Sequence, residues 1–143
     1  MTEVGTRFRA DVAGRITAVR FYKGSGNTGA HVGHLWSATG TLLGTATFGG
    51  ETATGWQTAT FATPVTVAAN TTYVVSYYAP AGRYAGDNGY FAAAGVDNGP
   101  LHALRDGADG LNGLYRYGSG GGFPTGSWHS SNYWVDVVFT PGS

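Results

Sequence analysis

The sequence has 143 residues, no cysteine, and eight basic and eight acidic residues. This length predicts a single domain over residues 1–143, and the lack of cysteine excludes disulfides and thiolate metal sites. Because only 11% of the residues are charged and the charges cancel, we expect neither nucleic acid nor a membrane as partner. No segment resembles a signal peptide or a membrane span, and we expect the chain to be a module cut from a longer precursor.

Short runs of β-branched and aromatic residues fill the first half of the chain, with glycine or Asx turns between them. Residues 7–12 alternate between polar and apolar, and residues 16–22 alternate again after a turn at Gly14. In the second run, alternation places Val19 and Phe21 toward the core. The opposite face then carries Ile16, Ala18, Arg20 and Tyr22.

Further strands follow in the same pattern. Residues 31–36 and 41–48 predict a hairpin around Thr39-Gly40. Pro64 cannot donate a backbone hydrogen bond, so we expect it at a strand start or on an edge strand. The remaining strand candidates are residues 56–61, 65–67 and 72–78.

The clearest strand comes last, at residues 132–139. Alternation places Trp134 and Asp136 on one of its faces, and Tyr133, Val135, Val137 and Phe139 on the other. Together the strands predict an all-β, antiparallel β-sandwich of jelly-roll type. A long ordered loop region over residues 80–131 precedes the last strand.

The segment from Pro80 to Trp134 holds thirteen of the 25 glycines and nine of the twenty aromatic residues. Ordered loops of this length commonly carry binding surfaces. Aromatic rings for stacking, together with planar polar groups for hydrogen bonding, are what a neutral sugar requires. The ligand-binding candidates are Tyr84, Asp97, Asn98, His102, Tyr115, Arg116, Tyr117 and Trp128. We expect the other large rings of the segment to fill the core, namely Tyr90, Phe91, Phe123 and Trp134.

Four separated motifs, in order along the chain, resemble a known family. They are Phe21-Tyr22-Lys23-Gly24, Asn27-Thr28-Gly29 with His31 and Leu35-Trp36, residues 95–102, and residues 131–139. The sequence resembles the bacterial family called domain of unknown function 4082. The resemblance implies a secreted or extracellular accessory β-sandwich module beside other domains of a large protein.

No cofactor is expected, with calcium as the one alternative. Asp106, Asp109 and Asn112 present oxygen atoms every third residue between glycines, which could wrap a hard cation. Ordinary Asx-Gly turns explain the same string. His31 and His34 are poor partners for one transition metal, because a regular strand would point them to opposite faces.

No motif of an enzyme is present in the sequence. We therefore expect a non-catalytic carbohydrate-binding module of a secreted multidomain protein. Its partners would be a polysaccharide or oligosaccharide and the neighbouring domains of the parent protein. The alternative is a structural or adhesive spacer module in a bacterial surface protein, which calcium could stabilise.

Overall fold

The computed structural model describes residues 1–142, and these form two antiparallel β-sheets without a helix. The predicted all-β sandwich is therefore confirmed. Because the described chain has no helix, it has none that could cross a membrane. The strands are β1 (Thr2–Ala10), β2 (Gly14–Lys23), β3 (Val32–Ser37), β4 (Leu42–Thr47), β5 (Gly55–Val67), β6 (Thr72–Ala79), β7 (Val96–Asn98), β8 (Leu101–Ala103), β9 (Leu114–Tyr117), β10 (Gly126–Ser127) and β11 (Val135–Pro141).

The larger sheet has the order β10-β9-β1-β6-β3-β4. Strand β1 pairs with β6 along one edge, while its other edge pairs with β9 near Thr2–Gly5 and with β8 near Phe8–Ala10. Strand β7 pairs with β8 and extends this sheet locally. The segment between β6 and β11 thus contributes four short strands, which the sequence did not reveal because each has only two to four residues.

The smaller sheet has the order β11-β2-β5. Strand β5 is one strand of 13 residues where the sequence suggested two, with an irregularity in its pairing with β2 between Thr60 and Val65. It lies at the sheet edge, so Pro64 is on an edge strand as predicted. The predicted hairpin is also confirmed, as β3 and β4 of the larger sheet.

Strand β2 departs from the predicted alternation. Val19 and Phe21 face the core as expected, but Ile16 is fully buried as well. The pairing register with β5 shifts between Ile16 and Ala18, and this bulge reverses the phase of the strand. The prediction that Ile16 lies on the face opposite Val19 was therefore wrong.

One apolar core lies between the two sheets. At its centre the Phe21 ring stacks on Tyr77 at 4.1 Å between centroids and meets Phe48 edge-on at 4.9 Å. Burying each such side chain stabilises the fold by about 1.5–3 kcal/mol. A smaller cluster of Trp36, Val74 and Leu114, with Phe123 against it, is separate from this core.

Buried polar side chains form two networks. In the first, the two nitrogens of the fully buried His31 lie 2.9 Å from a Glu51 carboxylate oxygen and 2.7 Å from Asn27 Oδ1. Asn27 Nδ2 in turn donates to the Tyr77 hydroxyl, whose pKa burial raises. In the second, the buried Glu3 carboxylate accepts hydrogen bonds from Ser76 and His34, at 2.5 and 2.7 Å.

Candidate functional site: a cleft between the sheets

A cleft of about 220 Å³ is lined by side chains from both sheets and from the segment between β6 and β8. Its floor is apolar and includes Phe8 and Val75 from the larger sheet and Val135 and Val137 from β11. Its rim carries aromatic and polar side chains from β2, β5, β7, β8 and β11. The cleft thus lies beside β11, one of the two edge strands of the smaller sheet.

Besides the buried rings of Phe8 and Phe91, three partly exposed aromatic rings line the cleft, those of Trp56, Tyr90 and Trp134. Trp56 is 44% exposed and Tyr90 is 41% exposed, while Trp134 is partly buried. The Tyr90 ring meets Trp134 edge-on, with centroids 5.2 Å apart. The Trp134 indole N–H donates to an Asp87 carboxylate oxygen at 2.7 Å, which fixes the orientation of the Trp134 ring.

The backbone of Trp134 is unusual, with φ at +56°. This left-handed conformation is rare for a bulky residue, and it occurs chiefly where the surrounding structure enforces it. Here the Trp134 N–H donates to Asn132 Oδ1 at 2.7 Å, and the Trp134 carbonyl accepts from the Tyr22 N–H at 2.9 Å. The regular strand therefore begins at Val135, three residues later than predicted.

An ion pair crosses the rim beside the Trp56 ring. The Arg20 guanidinium donates two hydrogen bonds to the Asp136 carboxylate, at 2.9 and 3.0 Å. It also lies 4.6 Å from the Trp56 ring centroid, within the range of a cation–π contact. The hydrogen bond to Asp136 raises the pKa of Arg20, which stays charged.

His102 on β8 carries the other charge of the rim. Its two ring nitrogens lie 2.6 Å from Asp97 Oδ1 and 2.8 Å from Asp11 Oδ2. Carboxylates only accept hydrogen bonds, so both bonds form together only when the His102 ring is protonated. The bond to Asp11 and then the bond to Asp97 raise the pKa of His102. These bonds tie the β7–β8 hairpin to the end of β1.

Comparison with known proteins identifies the family of this chain. The model of the family described as domain of unknown function (DUF4082) matches residues 1–135. The chain belongs to this family. No curated protein and no solved structure matches the chain.

In this DUF4082 domain, two of the eight predicted ligand-binding residues, Asn98 and His102, line the cleft. A third, Asp97, is hydrogen-bonded to His102 but does not line the cleft itself. The other five lie outside the lining. Arg116 is exposed on β9, and Trp128 is 54% exposed with its ring against His129 at 4.1 Å.

The remaining three predicted residues belong to a tyrosine cluster. Tyr84 meets Tyr133 edge-on at 5.3 Å, and Tyr115 lies 5.0 Å from the 70% exposed Tyr117. Partial burial and then the Tyr117 hydroxyl raise the pKa of Tyr84, and burial raises the pKa of Tyr133 to about 12. A second hollow, about 420 Å³ and more polar than the cleft, lies beside Tyr84 and Arg83.

The oxygen atoms of the predicted calcium string bind other parts of the DUF4082 domain. Asp106 accepts from the Asn112 N–H at 2.6 Å and from Ser130 at 2.9 Å, while Asp109 accepts from the Thr72 hydroxyl. The side chain of Asn112 is fully buried and forms four hydrogen bonds, all of them with backbone groups. Residues 1–142 contain no cluster of three or more His, Asp or Glu side chains arranged for a metal ion.

The sequence did not identify five of the residues at the rim. Tyr90 and Trp134 were expected in the core, but they line the cleft. Phe91, which was also expected in the core, is buried, with 1% of the residue exposed. The alternation of β2 and β11 did place Arg20 and Asp136 on outward faces. The sequence did not show that β2 and β11 are neighbouring strands, or that Trp56 of β5 lies beside them.

Proposed function

We propose that this domain is a non-catalytic carbohydrate-binding module that holds a neutral glycan in the cleft. The proposal is supported chiefly by three partly exposed rings, Trp56, Tyr90 and Trp134, that surround one cavity together with planar polar groups. Aromatic faces pack against the C–H faces of sugars, while fixed guanidinium, carboxylate and amide groups bond to hydroxyls.

The charges of the cleft favour a neutral ligand. The charged side chains that line it are Arg20, Asp136 and His102. Arg20 and Asp136 neutralise each other, and His102 is held between Asp97 and Asp11. Because each of these charges is already paired, an ionic ligand would find no free counter-charge among the lining residues.

The parent protein is proposed to be a secreted bacterial protein with several domains. Its partners would then be a polysaccharide or oligosaccharide and the neighbouring domains. A few stacked rings and hydrogen bonds commonly leave dissociation constants of about 1 μM to 1 mM. A tethered module with such affinity would still concentrate its parent protein at a polymer.

A glycan array and pull-down on insoluble polysaccharides test this function. The wild type should bind at least one neutral glycan, and Trp56→Ala should abolish that binding. Trp128→Ala is the matched control, because Trp128 is an exposed tryptophan outside the cleft. Absence of binding across plant, fungal and bacterial glycans would contradict the proposal.

A structural or adhesive spacer is the second candidate, and one observation favours it. Tyr117 and Trp128 are among the most exposed large rings, and both lie near β9 and β10 at the edge of the larger sheet. Exposed apolar surface of this kind suits contact with a neighbouring domain. Under this reading, Trp128→Ala weakens the contact with the neighbouring domain, and the wild-type module binds no glycan on the array.

A further inference from the structure

We propose that the cleft takes a single terminal sugar residue end-on, and not a run of residues along a polymer. This inference rests on the proposed carbohydrate function. The cleft volume of about 220 Å³ lies below the roughly 300–1,000 Å³ of sites for drug-sized ligands. Such a space suits one sugar ring, with the rest of the chain leaving through the rim.

The floor of the cleft contains a hydroxyl without a partner. Thr6 on β1 lines the cleft opposite Val75 of β6, and only 4% of the residue is exposed. Its Oγ1 is buried and forms no hydrogen bond with residues 1–142. A buried hydroxyl without a partner is destabilising, so a ligand hydroxyl that reaches Thr6 forms a hydrogen bond that the protein alone does not make.

The free edge of β11 supplies further polar groups beside Thr6. The Tyr22 N–H donates to the Trp134 carbonyl. This bond determines which residues of β11 form backbone hydrogen bonds with β2. In this antiparallel register, Asp136 exchanges backbone bonds with Arg20, so the N–H and C=O groups of Val135 and Val137 point away from β2. Strand β11 has no second strand neighbour within residues 1–142.

These groups make the floor suited to a sugar hydroxyl. Val135 and Val137 line the cleft together with Thr6, and they present backbone donors and acceptors at fixed positions. Phe8 and Val75 supply the apolar surroundings that strengthen such bonds. A terminal sugar residue can place hydroxyls at this depth, whereas an internal residue is bonded to the polymer on both sides and stays at the rim.

Titration calorimetry with a series of glycans tests the inference. The probes are glucose, galactose, mannose, xylose and N-acetylglucosamine, each with its di-, tri- and tetrasaccharide homopolymers. End-on binding predicts a dissociation constant that changes by less than about threefold from monosaccharide to tetrasaccharide in the series that binds. A steady gain of affinity with each added residue would overturn it.

Variants of Thr6 provide the second part of the test. Thr6→Val, which keeps the shape, should weaken monosaccharide binding at least about fivefold, because one hydrogen bond is lost. Thr6→Ser should remain within about twofold, and Thr66→Val on the exposed face of β5 is the matched control. Unchanged affinity in a folded Thr6→Val protein would overturn the role of Thr6, and if this variant does not fold, the chain-length series decides.

Failure of the inference is distinguishable from failure of the proposed function. If the wild type binds none of the probes or of the glycans on the array, the carbohydrate function itself fails. If Trp56→Ala abolishes binding while affinity rises with chain length, the module binds glycan along its length. In that case the function stands and end-on binding is contradicted.

Discussion

Arg20 and Asp136 face each other across neighbouring strands of the smaller sheet, joined by two hydrogen bonds of 2.9 and 3.0 Å. The strands that carry them are separated by more than a hundred residues in the sequence. The pair holds the guanidinium against the Trp56 ring and thereby fixes one wall of the cleft.

Arg20→Lys should impair binding more than folding. Lysine keeps the charge but loses the bidentate hydrogen bond to Asp136 and the stacking of the planar guanidinium on Trp56. We therefore expect at least about a fivefold loss of glycan affinity. Since the ion pair is partly exposed, the free energy of unfolding should change by less than about 1 kcal/mol. Titration calorimetry and urea unfolding measure the two quantities. Arg15→Lys, an exposed position on β2, is the control, and equal affinities of the two variants would contradict the role of Arg20.

Trp134→Gly and Trp134→Ala should differ in stability. Both remove the ring and should abolish glycan binding. The left-handed backbone costs an L-residue about 1–2 kcal/mol, whereas glycine adopts it freely but loses more entropy on folding. The glycine variant should therefore be more stable than the alanine variant by up to about 1 kcal/mol. Urea unfolding of both variants checks this, and an alanine variant of equal or greater stability would show that the backbone is not strained.

The bonds of His102 predict a dependence of stability on pH. Asp11 and Asp97 raise the pKa of His102 above its usual 6.5, so the folded state binds this proton more tightly than the unfolded state. The contribution is fully present below pH 6.5 and disappears as the pH rises through the folded pKa. The loss should be small because the side chains of Asp11 and Asp97 are largely accessible to solvent.

Thermal unfolding from about pH 5 to about pH 9 should show this step in the wild type and not in His102→Gln. Titration of the imidazole by NMR gives the folded pKa directly. A midpoint at or below 6.5 would contradict the two-carboxylate arrangement.

Asn112→Asp should destabilise the fold strongly. The Asn112 amide nitrogen donates to the carbonyls of Arg7 and Leu104, at 3.2 and 2.7 Å. A carboxylate of the same shape would place an acceptor against these acceptors in a fully buried site. We expect a loss of about 3 kcal/mol or more, measured by urea unfolding. A loss below about 1 kcal/mol would indicate that Asn112 does not bridge the two segments.

The same contacts bear on calcium. Because Asp106, Asp109 and Asn112 already accept hydrogen bonds from the protein, we expect millimolar calcium to leave the thermal midpoint of chelator-treated protein unchanged. Magnesium is the control for a general salt effect. A rise specific to calcium would show that the loop rearranges around the ion.

The sequence was sufficient for the sandwich, because β-branched runs with period-two alternation are a local signal. It failed where the signal is not local. The bulge after Ile16 arises from the pairing of β2 with β5, and no residue near Ile16 marks it. Strands β7 to β10 are too short for a pattern and exist because β1 and its neighbours offer a free edge.

The candidate site was predictable only in part for the same reason. Asn98 and His102 were recognised from their chemistry, since planar polar residues in a long glycine-rich segment indicate binding. Trp134 resembled a core residue because the residues after it form an apolar strand. Its left-handed backbone turns it out of the strand pattern, and that conformation depends on Asn132 and Tyr22. Trp56 lies on a distant strand, so only the fold brings it to the cleft.

The chain has four tryptophans, and their indole N–H signals provide the most direct test of the cleft as the glycan site. Trp56 and Trp134 line the cleft, Trp36 lies in the separate apolar cluster, and Trp128 is exposed outside the cleft. In a ¹H–¹⁵N NMR titration with the glycan that the array selects, the signals of Trp56 and Trp134 should shift together along one binding curve, while those of Trp36 and Trp128 stay in place. A shift of Trp128 alone, or no shift of Trp56 and Trp134 at saturation, would contradict the account.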